Sequence, residues 1–209
     1  MTTRPESANP ARDGKSPSEG WLALARPCPS PNFGTRPPDT TIDLVVVHSI
    51  SLPPGVFGGP EIEQLFTNRL DWDAHPYFGQ IRGMEVSSHF LIRRDGELVQ
   101  FVSTLDRAWH AGVSEWCGRC NCNDFSIGIE LEGLEGGLFE PAQYKRLTTL
   151  CQALRELHPI AQIVGHEDIA PGRKQDPGPG FDWPGFQKSL GWPEVCFAKT
   201  TFAATHLPD

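Results

Sequence analysis

Long apolar runs are missing from this sequence. Its apolar stretches, such as Leu44 to Val47, are only a few residues long, whereas a helix that spans a bilayer needs about 20 apolar residues in succession. Residues 1–20 have Met1 and two alanines as their only apolar side chains, so they lack the apolar region of a secretory signal. We therefore expect neither a membrane span nor export, and we predict a cytoplasmic location.

Basic residues are also scarce. The 209-residue chain has 18 Lys and Arg against 26 Asp and Glu, which gives a formal net charge of −8. Proteins that bind DNA through its phosphates usually carry the opposite charge. The charge balance therefore disfavours nucleic acids and anionic membranes as partners.

Cysteines are too few for a disulfide scaffold, since six occur in 209 residues, and we expect them to be thiols or metal ligands. In contrast, 21 glycines and 20 prolines predict long, shaped loops, which often carry function. The length fits one domain. The polar composition of residues 1–20 predicts a disordered N-terminal tail, with order beginning near Trp21.

Two segments have the pattern of buried strands. Ile42 to Ile50 is largely apolar and β-branched, as expected for a strand buried on both faces. His89 to Val102 contains two apolar runs on either side of Asp95-Gly96, which predicts an antiparallel hairpin at the centre of a sheet.

The second half of the chain adds further elements. Ser126 to Glu132 alternates in polarity, which places Glu130 and Glu132 on one face of a strand. Pro141 to His158 has apolar residues at helical spacing, and residues 160–164 resemble another strand. Interleaved strands and helices with one hairpin predict an α/β fold in which helices pack on a mixed sheet.

The remaining segments are rich in Pro and Gly or lack a period. Residues 51–60 and 165–183 read as loops, and Pro60 is expected to open a short helix over residues 61–70. Residues 103–125 show no period, which is typical of a functional or disordered loop.

Two histidines stand out by their position. His48 ends a buried strand, and His166 opens a loop that contains Asp168, Lys174 and Asp176. Two imidazoles and one carboxylate with an open fourth position form the ligand set of a catalytic zinc site. The same set could hold Fe(II) in an oxygenase. Spacing does not decide between these metals, and any one histidine taken alone is more often a surface or hydrogen-bonded core residue.

A second group of possible ligands lies in the loop over residues 103–125. Cys117, Cys120 and Cys122 could converge on a structural metal, but a fourth ligand of matching quality is missing, so we interpret them as free thiols. In the same loop, Trp109-His110 could line a pocket or anchor the loop to the core.

Five blocks of the sequence, in order along the chain, resemble the zinc-dependent N-acetylmuramoyl-L-alanine amidase family, which is related to a phage lysozyme and to peptidoglycan recognition proteins. The resemblance is strongest to members that act on 1,6-anhydromuropeptides. The blocks are VVVHSISLPPGVFGGP (45–60), SSHFLIRRDGELVQFV (87–102), RAWHAGVS (107–114), CNDFSIGIELEG (122–133) and GHEDIAPGRKQDPGPGFDW (165–183). The resemblance implies a single domain over residues 21–190, with a mixed sheet flanked by helices, and leaves residues 191–209 as a C-terminal extension without an assigned structure.

Position by position, the resemblance implies that zinc is held by His48, His166 and Asp176. Glu130 and Lys174 match the catalytic residues of the family. Histidines 89 and 110 match family histidines that are not metal ligands, and we expect them to be structural.

The substrate-binding positions depart from the family pattern. Ser49 stands where close relatives usually have Asn, although its hydroxyl could still bind substrate, and Glu85 and Asn121 stand where relatives often carry Arg. Arg173 remains as a possible partner for an anionic group. We expect Ser49, Trp109 and Arg173 to bind substrate.

The resemblance therefore implies a zinc amidohydrolase that cleaves the amide between (1,6-anhydro-)N-acetylmuramic acid and L-alanine of muropeptides, in cell-wall recycling. The main alternative is a non-catalytic module that binds peptidoglycan fragments on the same fold, but such modules lose zinc ligands and this chain keeps all three. The Fe(II) oxygenase alternative requires a jelly roll of many short strands, whereas a long helix is predicted here.

Overall fold

A computed structural model describes residues 19–197. The predicted disorder of residues 1–20 falls almost entirely outside this range, as does most of the predicted extension over residues 191–209, so these domain boundaries stay predictions. None of the helices in the described range is both apolar and long enough to cross a membrane.

Ten strands and five α-helices occur in the described residues. In chain order they are β1 (Arg26–Pro27), β2 (Phe33–Gly34), β3 (Leu44–Ile50), α1 (Glu61–Phe66), α2 (Pro76–Gln80), β4 (Phe90–Ile92), β5 (Leu98–Gln100), β6 (Arg107–Ala108), β7 (Glu115–Trp116), β8 (Arg119–Cys120), β9 (Ser126–Glu132), α3 (Pro141–Leu157), β10 (Gln162–Gly165), α4 (His166–Ile169) and α5 (Trp183–Leu190).

The main sheet has six strands in the order β1-β5-β4-β9-β3-β10. The β4–β5 hairpin is antiparallel, and the other neighbouring pairs of this sheet are parallel. The predicted mixed sheet and the hairpin are confirmed, although the hairpin lies towards one edge of the sheet and not at its centre. Because β3, β9 and β10 are parallel neighbours, their carboxyl ends meet at one edge.

One face of the sheet packs against α3 and α5. Apolar side chains of the strands, such as Val47 and Ile129, form one cluster with Leu147 and Leu154 of α3 and Phe186 of α5. The buried side chain of Gln143 ties α3 to the sheet, because its Nε2 donates to the carbonyls of Ile92 and Glu132. Apolar side chains therefore fill this face of the sheet.

The opposite face is covered by α1, α4 and the long loops. Ile62 and Phe66 of α1 pack with Leu91 in one cluster, and Ile169 of α4 packs with Val46 in another. The strand side chains between these two apolar clusters are polar. We therefore expect the functional site on this face of the sheet.

Two predicted boundaries need correction. The helix that follows Pro60 ends at Phe66 and not at residue 70, because Asn68 adopts the left-handed conformation (φ 56°) that terminates helices. The segment over residues 165–183 is not a continuous loop, since it begins with the single turn α4, in which Asp168 Oδ2 accepts from Gly165 N at 2.7 Å.

Candidate metal centre and active site

Strand register brings the distant site residues together. His48 of β3 pairs with Glu130 of β9, and Val47 pairs with Gly165, the last residue of β10. His166 follows Gly165 directly, so both histidines lie at the carboxyl edge of the sheet. The site is therefore a consequence of the parallel β10-β3-β9 arrangement.

His48, His166 and Asp176 form one compact group of buried ligand atoms that lie within 4.8 Å of one another. The Nδ1 atoms of His48 and His166 are 2.9 Å apart, and Asp176 Oδ2 lies 3.2 Å from the first and 3.1 Å from the second. Bonds of about 2.0–2.1 Å from a tetrahedral zinc ion place its ligand atoms roughly 3.3 Å apart. The three atoms therefore fit three corners of such a site.

The electrostatics of the group also favour a cation. Burial and the neighbouring His166 lower the pKa of His48 to about 4, so its imidazole is neutral near pH 7 and can act as a ligand. Burial alone would raise the pKa of Asp176, but the imidazoles of His166 and His48, which lie within 3.2 Å of its Oδ2, hold the pKa well below the ordinary value. The group thus presents two imidazoles, of which that of His48 is neutral, and one carboxylate. Asp168, which caps α4, is not part of it.

Glu130 lies next to this group without joining it. Its side chain is nearly buried, at 9% exposure, and its Oε2 has no hydrogen-bond partner among the described residues. Burial and the nearby Asp176 raise the pKa of Glu130 well above the ordinary value, while the charge of Lys174 lowers it. A buried carboxylate with a free oxygen beside a metal group can accept a proton from water or substrate.

Lys174 follows α4 in an exposed position, and its backbone N–H donates to the carbonyl of Ala170 at 3.0 Å. Its charge lowers the pKa of both Glu130 and His48. The structure thus brings together the three expected ligands, with Glu130 on the strand position paired with His48, and the catalytic roles of Glu130 and Lys174 stay predictions.

The structure gives less direct information on the three expected substrate-binding residues. Ser49 lies one position after His48, so strand alternation turns its side chain to the opposite face of the sheet, where its buried hydroxyl has no partner among the described residues. Trp109 is half-buried, and its main chain is bonded to Ser87. Their roles in substrate binding stay predictions.

Arg173 is occupied within the protein. Its Nη2 donates to the carbonyls of Ala111 and Val113, each at 2.6 Å. It therefore ties the loop that carries Lys174 to the segment around Ala111. Binding of an anionic substrate group by Arg173 stays a prediction and would have to use its other N–H groups.

Sequence reasoning missed His110 as a site residue. Its Nδ1 lies 2.9 Å from His48 Nε2, the ring nitrogen of His48 that points away from His166 and Asp176. The glycine at position 128 of a buried strand was the one hint that a side chain packs closely there, since an added Cβ would lie 2.4 Å from the His110 ring. His89 is structural, as expected, because its Nδ1 accepts from Gly128 N at 3.0 Å.

Cys117 and Cys120 are exposed free thiols near the tip of the β7–β8 hairpin, and Cys122 is a buried free thiol. In the part of the chain that the structure describes, the His48 group is the one cluster with metal-ligand geometry. That these cysteines hold no metal in solution stays a prediction.

Comparison with known proteins gives a consistent picture. Residues 38–179 match the family model described as N-acetylmuramoyl-L-alanine amidase. The 1,6-anhydro-N-acetylmuramyl-L-alanine amidase AmpD of Escherichia coli is 56% identical over 171 residues, which are 81% of this chain and 93% of that protein. A crystal structure of a selenomethionine derivative of AmpD matches with a TM-score of 0.80 and 56% identity, covering 82% of this chain and 97% of the other.

A more distant relative has been solved with a ligand. The amidase AmiD from Escherichia coli, in complex with the substrate anhydro-N-acetylmuramic acid-L-Ala-D-gamma-Glu-L-Lys, matches with a TM-score of 0.53 and 29% identity, covering 83% of this chain and 68% of that chain.

Proposed function

The chain belongs to the N-acetylmuramoyl-L-alanine amidase family, and from this we propose that it hydrolyses the amide bond between 1,6-anhydro-N-acetylmuramic acid and L-alanine in muropeptides. The observation that carries the proposal is the buried group of His48, His166 and Asp176, which lies inside the region matched by the family. The relative AmpD, which is 56% identical, is named for this activity. The protein is thus an enzyme, and its substrate is a muropeptide.

We infer that the metal is zinc and that His48, His166 and Asp176 would hold it. The donor set supports this choice, since two imidazoles and one carboxylate with an open fourth position are typical of catalytic zinc sites. When bound, zinc would lower the pKa of water and polarise the scissile carbonyl.

Glu130 would act as the general base. Its free Oε2 lies at the site, and its raised pKa makes the carboxylate a better proton acceptor than an ordinary glutamate. It would take a proton from the attacking water and pass it to the leaving amine of L-alanine. The proton that leaves the water therefore ends on the amine, and the remaining hydroxyl ends on the carbonyl carbon.

Lys174 would stabilise negative charge that develops on the carbonyl oxygen. Its ammonium group is exposed, so it can approach substrate, and its charge already acts on Glu130 and His48. A cation that interacts with the oxyanion more strongly than with the neutral carbonyl lowers the barrier to the reaction.

The alternative of a non-catalytic binding module is not supported. Such modules lack zinc ligands, whereas the ligand group here is complete. The observed sheet flanked by α3 and α5 also differs from the jelly roll that the Fe(II) oxygenase alternative requires. We propose action on soluble wall fragments in the cytoplasm, which cell fractionation would test.

Removal of single metal ligands tests the proposal. We expect His166→Ala and Asp176→Ala to lose both bound zinc and amidase activity, because each removes one of three protein ligands. Elemental analysis of the purified variants measures zinc, and hydrolysis of a defined anhydromuropeptide measures activity. The control Cys117→Ser/Cys120→Ser, which changes the exposed thiols, should keep one zinc per chain and full activity. Full zinc occupancy in either ligand variant would overturn the assignment.

A further inference from the structure

We propose that His110 is a positioning residue that holds His48 in the one tautomer that can bind the metal through Nδ1. This inference rests on the proposed metal site. His110 belongs to the segment before β7, and it is 62 positions from His48 in the sequence. It does not contact the metal position itself and acts only through the imidazole of His48.

A chain of three hydrogen bonds sets the tautomer of His48. His48 Nε2 lies 2.9 Å from His110 Nδ1, His110 Nε2 lies 3.2 Å from Ser126 Oγ, and Ser126 Oγ lies 2.6 Å from the carbonyl of Cys122. A carbonyl can only accept, so the single hydroxyl proton of Ser126 must point to it. If the proton pointed elsewhere, Ser126 Oγ and the Cys122 carbonyl oxygen would be two acceptors 2.6 Å apart and would repel each other.

The direction of the chain follows from that last bond. Because the Ser126 proton is used, Ser126 Oγ accepts from His110 Nε2–H, which leaves His110 Nδ1 as an acceptor. His110 Nδ1 then accepts from His48 Nε2–H. The lone pair of His48 is consequently on Nδ1, which faces His166 and Asp176.

The same segment sets the second histidine. His166 Nε2 lies 3.1 Å from the carbonyl of Ala111, which again can only accept, so the lone pair of His166 is also on Nδ1. Asn123 Oδ1 accepts from the N–H groups of His110 and Ala111 at 3.0 and 2.8 Å. Together with the bonds from Arg173 to the carbonyls of Ala111 and Val113, these contacts fix the segment in place.

Gly128 provides the space for the His110 ring. It pairs with Val46 on β3, two positions before the His48–Glu130 pair, so it lies on the same face of the sheet. A Cβ at Gly128 would lie 2.4 Å from His110 Cγ and 2.6 Å from Nδ1. The absence of a side chain at this position is what allows the imidazole to lie directly behind His48.

Zinc affinity of matched variants tests the inference. His110→Phe keeps a ring but removes the acceptor, and it should raise the zinc Kd by about 10–100-fold, the range found when hydrogen-bond partners of metal ligands are lost. His110→Asn places an acceptor oxygen where Nδ1 was, and its Kd should lie closer to that of the unmodified protein. The control His158→Phe removes another buried imidazole, bonded to Thr104 at 2.9 Å, and should leave the Kd unchanged.

Imidazole nitrogen NMR on the zinc-free proteins gives a second readout that does not depend on activity. In the unmodified protein His48 should carry its proton on Nε2. In His110→Phe the proton should move to Nδ1, where the Asp176 carboxylate can accept it and where it must be displaced before a metal binds. A purely structural role of His110 would not move this proton.

The outcomes separate this inference from the proposed function. If the unmodified protein binds zinc and His110→Phe binds it equally well with His48 unchanged, the inference is overturned while the metal site stands. If the unmodified protein binds no zinc, both are overturned. Should His110→Phe fail to fold, Ser126→Ala, which removes one oxygen, must weaken zinc binding in the same direction, and an unchanged Kd there would equally overturn the inference.

Discussion

Glu130 and Lys174 are the two residues proposed to act in catalysis without binding the metal. If Lys174 stabilises charge that develops during the reaction, Lys174→Ala should keep zinc and bind substrate nearly normally, while kcat falls by about 10²–10³-fold. Steady-state kinetics and zinc analysis on the same sample measure both quantities. An unchanged kcat would make Lys174 a surface cation without a catalytic role.

Glu130→Gln keeps the size of the side chain and removes the proton acceptor. Zinc content should again be retained, because Glu130 is not among the ligands, and kcat should fall by about 10²–10⁴-fold, the usual contribution of positioned proton transfer. Loss of zinc from this variant, or a normal rate, contradicts the role assigned to Glu130.

Individual site residues differ in how far sequence could predict them. The resemblance named His48, Glu130 and Asp176 because their blocks are distinctive. The position of Lys174 relative to Glu130 needed the fold, since the two lie on separate elements. The contact of His110 with His48 could not be predicted, because it joins residues 62 positions apart and no local pattern records such a bond.

At the level of elements, two ion pairs of Glu63 join α1 to the sheet. Glu63 Oε1 lies 2.8 Å from Arg26 Nη2 of β1 and 2.7 Å from Arg93 Nη2, just after β4. Burial alone would raise the pKa of Glu63, but its bonds with Arg26 and Arg93 lower it from 4.5 to about 2.

A folded-state pKa below the unfolded value means that Glu63 stabilises the fold above the unfolded pKa, and that this stability is lost as the pH falls from about 4.5 towards 2. Glu63→Gln should therefore lower Tm at neutral pH and make Tm less dependent on pH across this window. Thermal unfolding followed by circular dichroism measures the slope. Glu61→Gln, on the same helix but without an ion pair among the described residues, is the matched control and should keep the original slope.

Elements with strong local signals were predicted well, and elements built from short signals were not. The hairpin has the Asp95-Gly96 turn signal, and β9 and α3 have clear periodicity. Strand β9 begins and ends at the predicted residues. In contrast, α5 begins at Trp183, where Asp182 caps it by accepting from Gly185 N at 3.0 Å. Its eight residues follow a Pro- and Gly-rich segment, and that composition favours a loop unless the cap is weighed as a helix start.

For the whole molecule, the sheet separates a filled face from a functional face. The ligand side chains are buried, with exposures of 1% for His48, 3% for His166 and 7% for Asp176. A small soluble fragment can approach such a buried group more easily than an amide held within a crosslinked wall. We therefore expect anhydromuropeptides to be hydrolysed far faster than intact sacculi, per accessible amide. Comparable rates on the two substrates would contradict this expectation.

We expect this chain to cleave one particular amide bond with the metal group at the edge of its sheet. The most direct measurement is incubation of the purified, zinc-loaded protein with a defined anhydromuropeptide, followed by mass spectrometry of the products. We expect two products, anhydro-N-acetylmuramic acid and the free peptide with L-alanine at its amino end, and no cleavage by Asp176→Ala. Recovery of intact substrate from the zinc-loaded protein, or cleavage at a different bond, would contradict it.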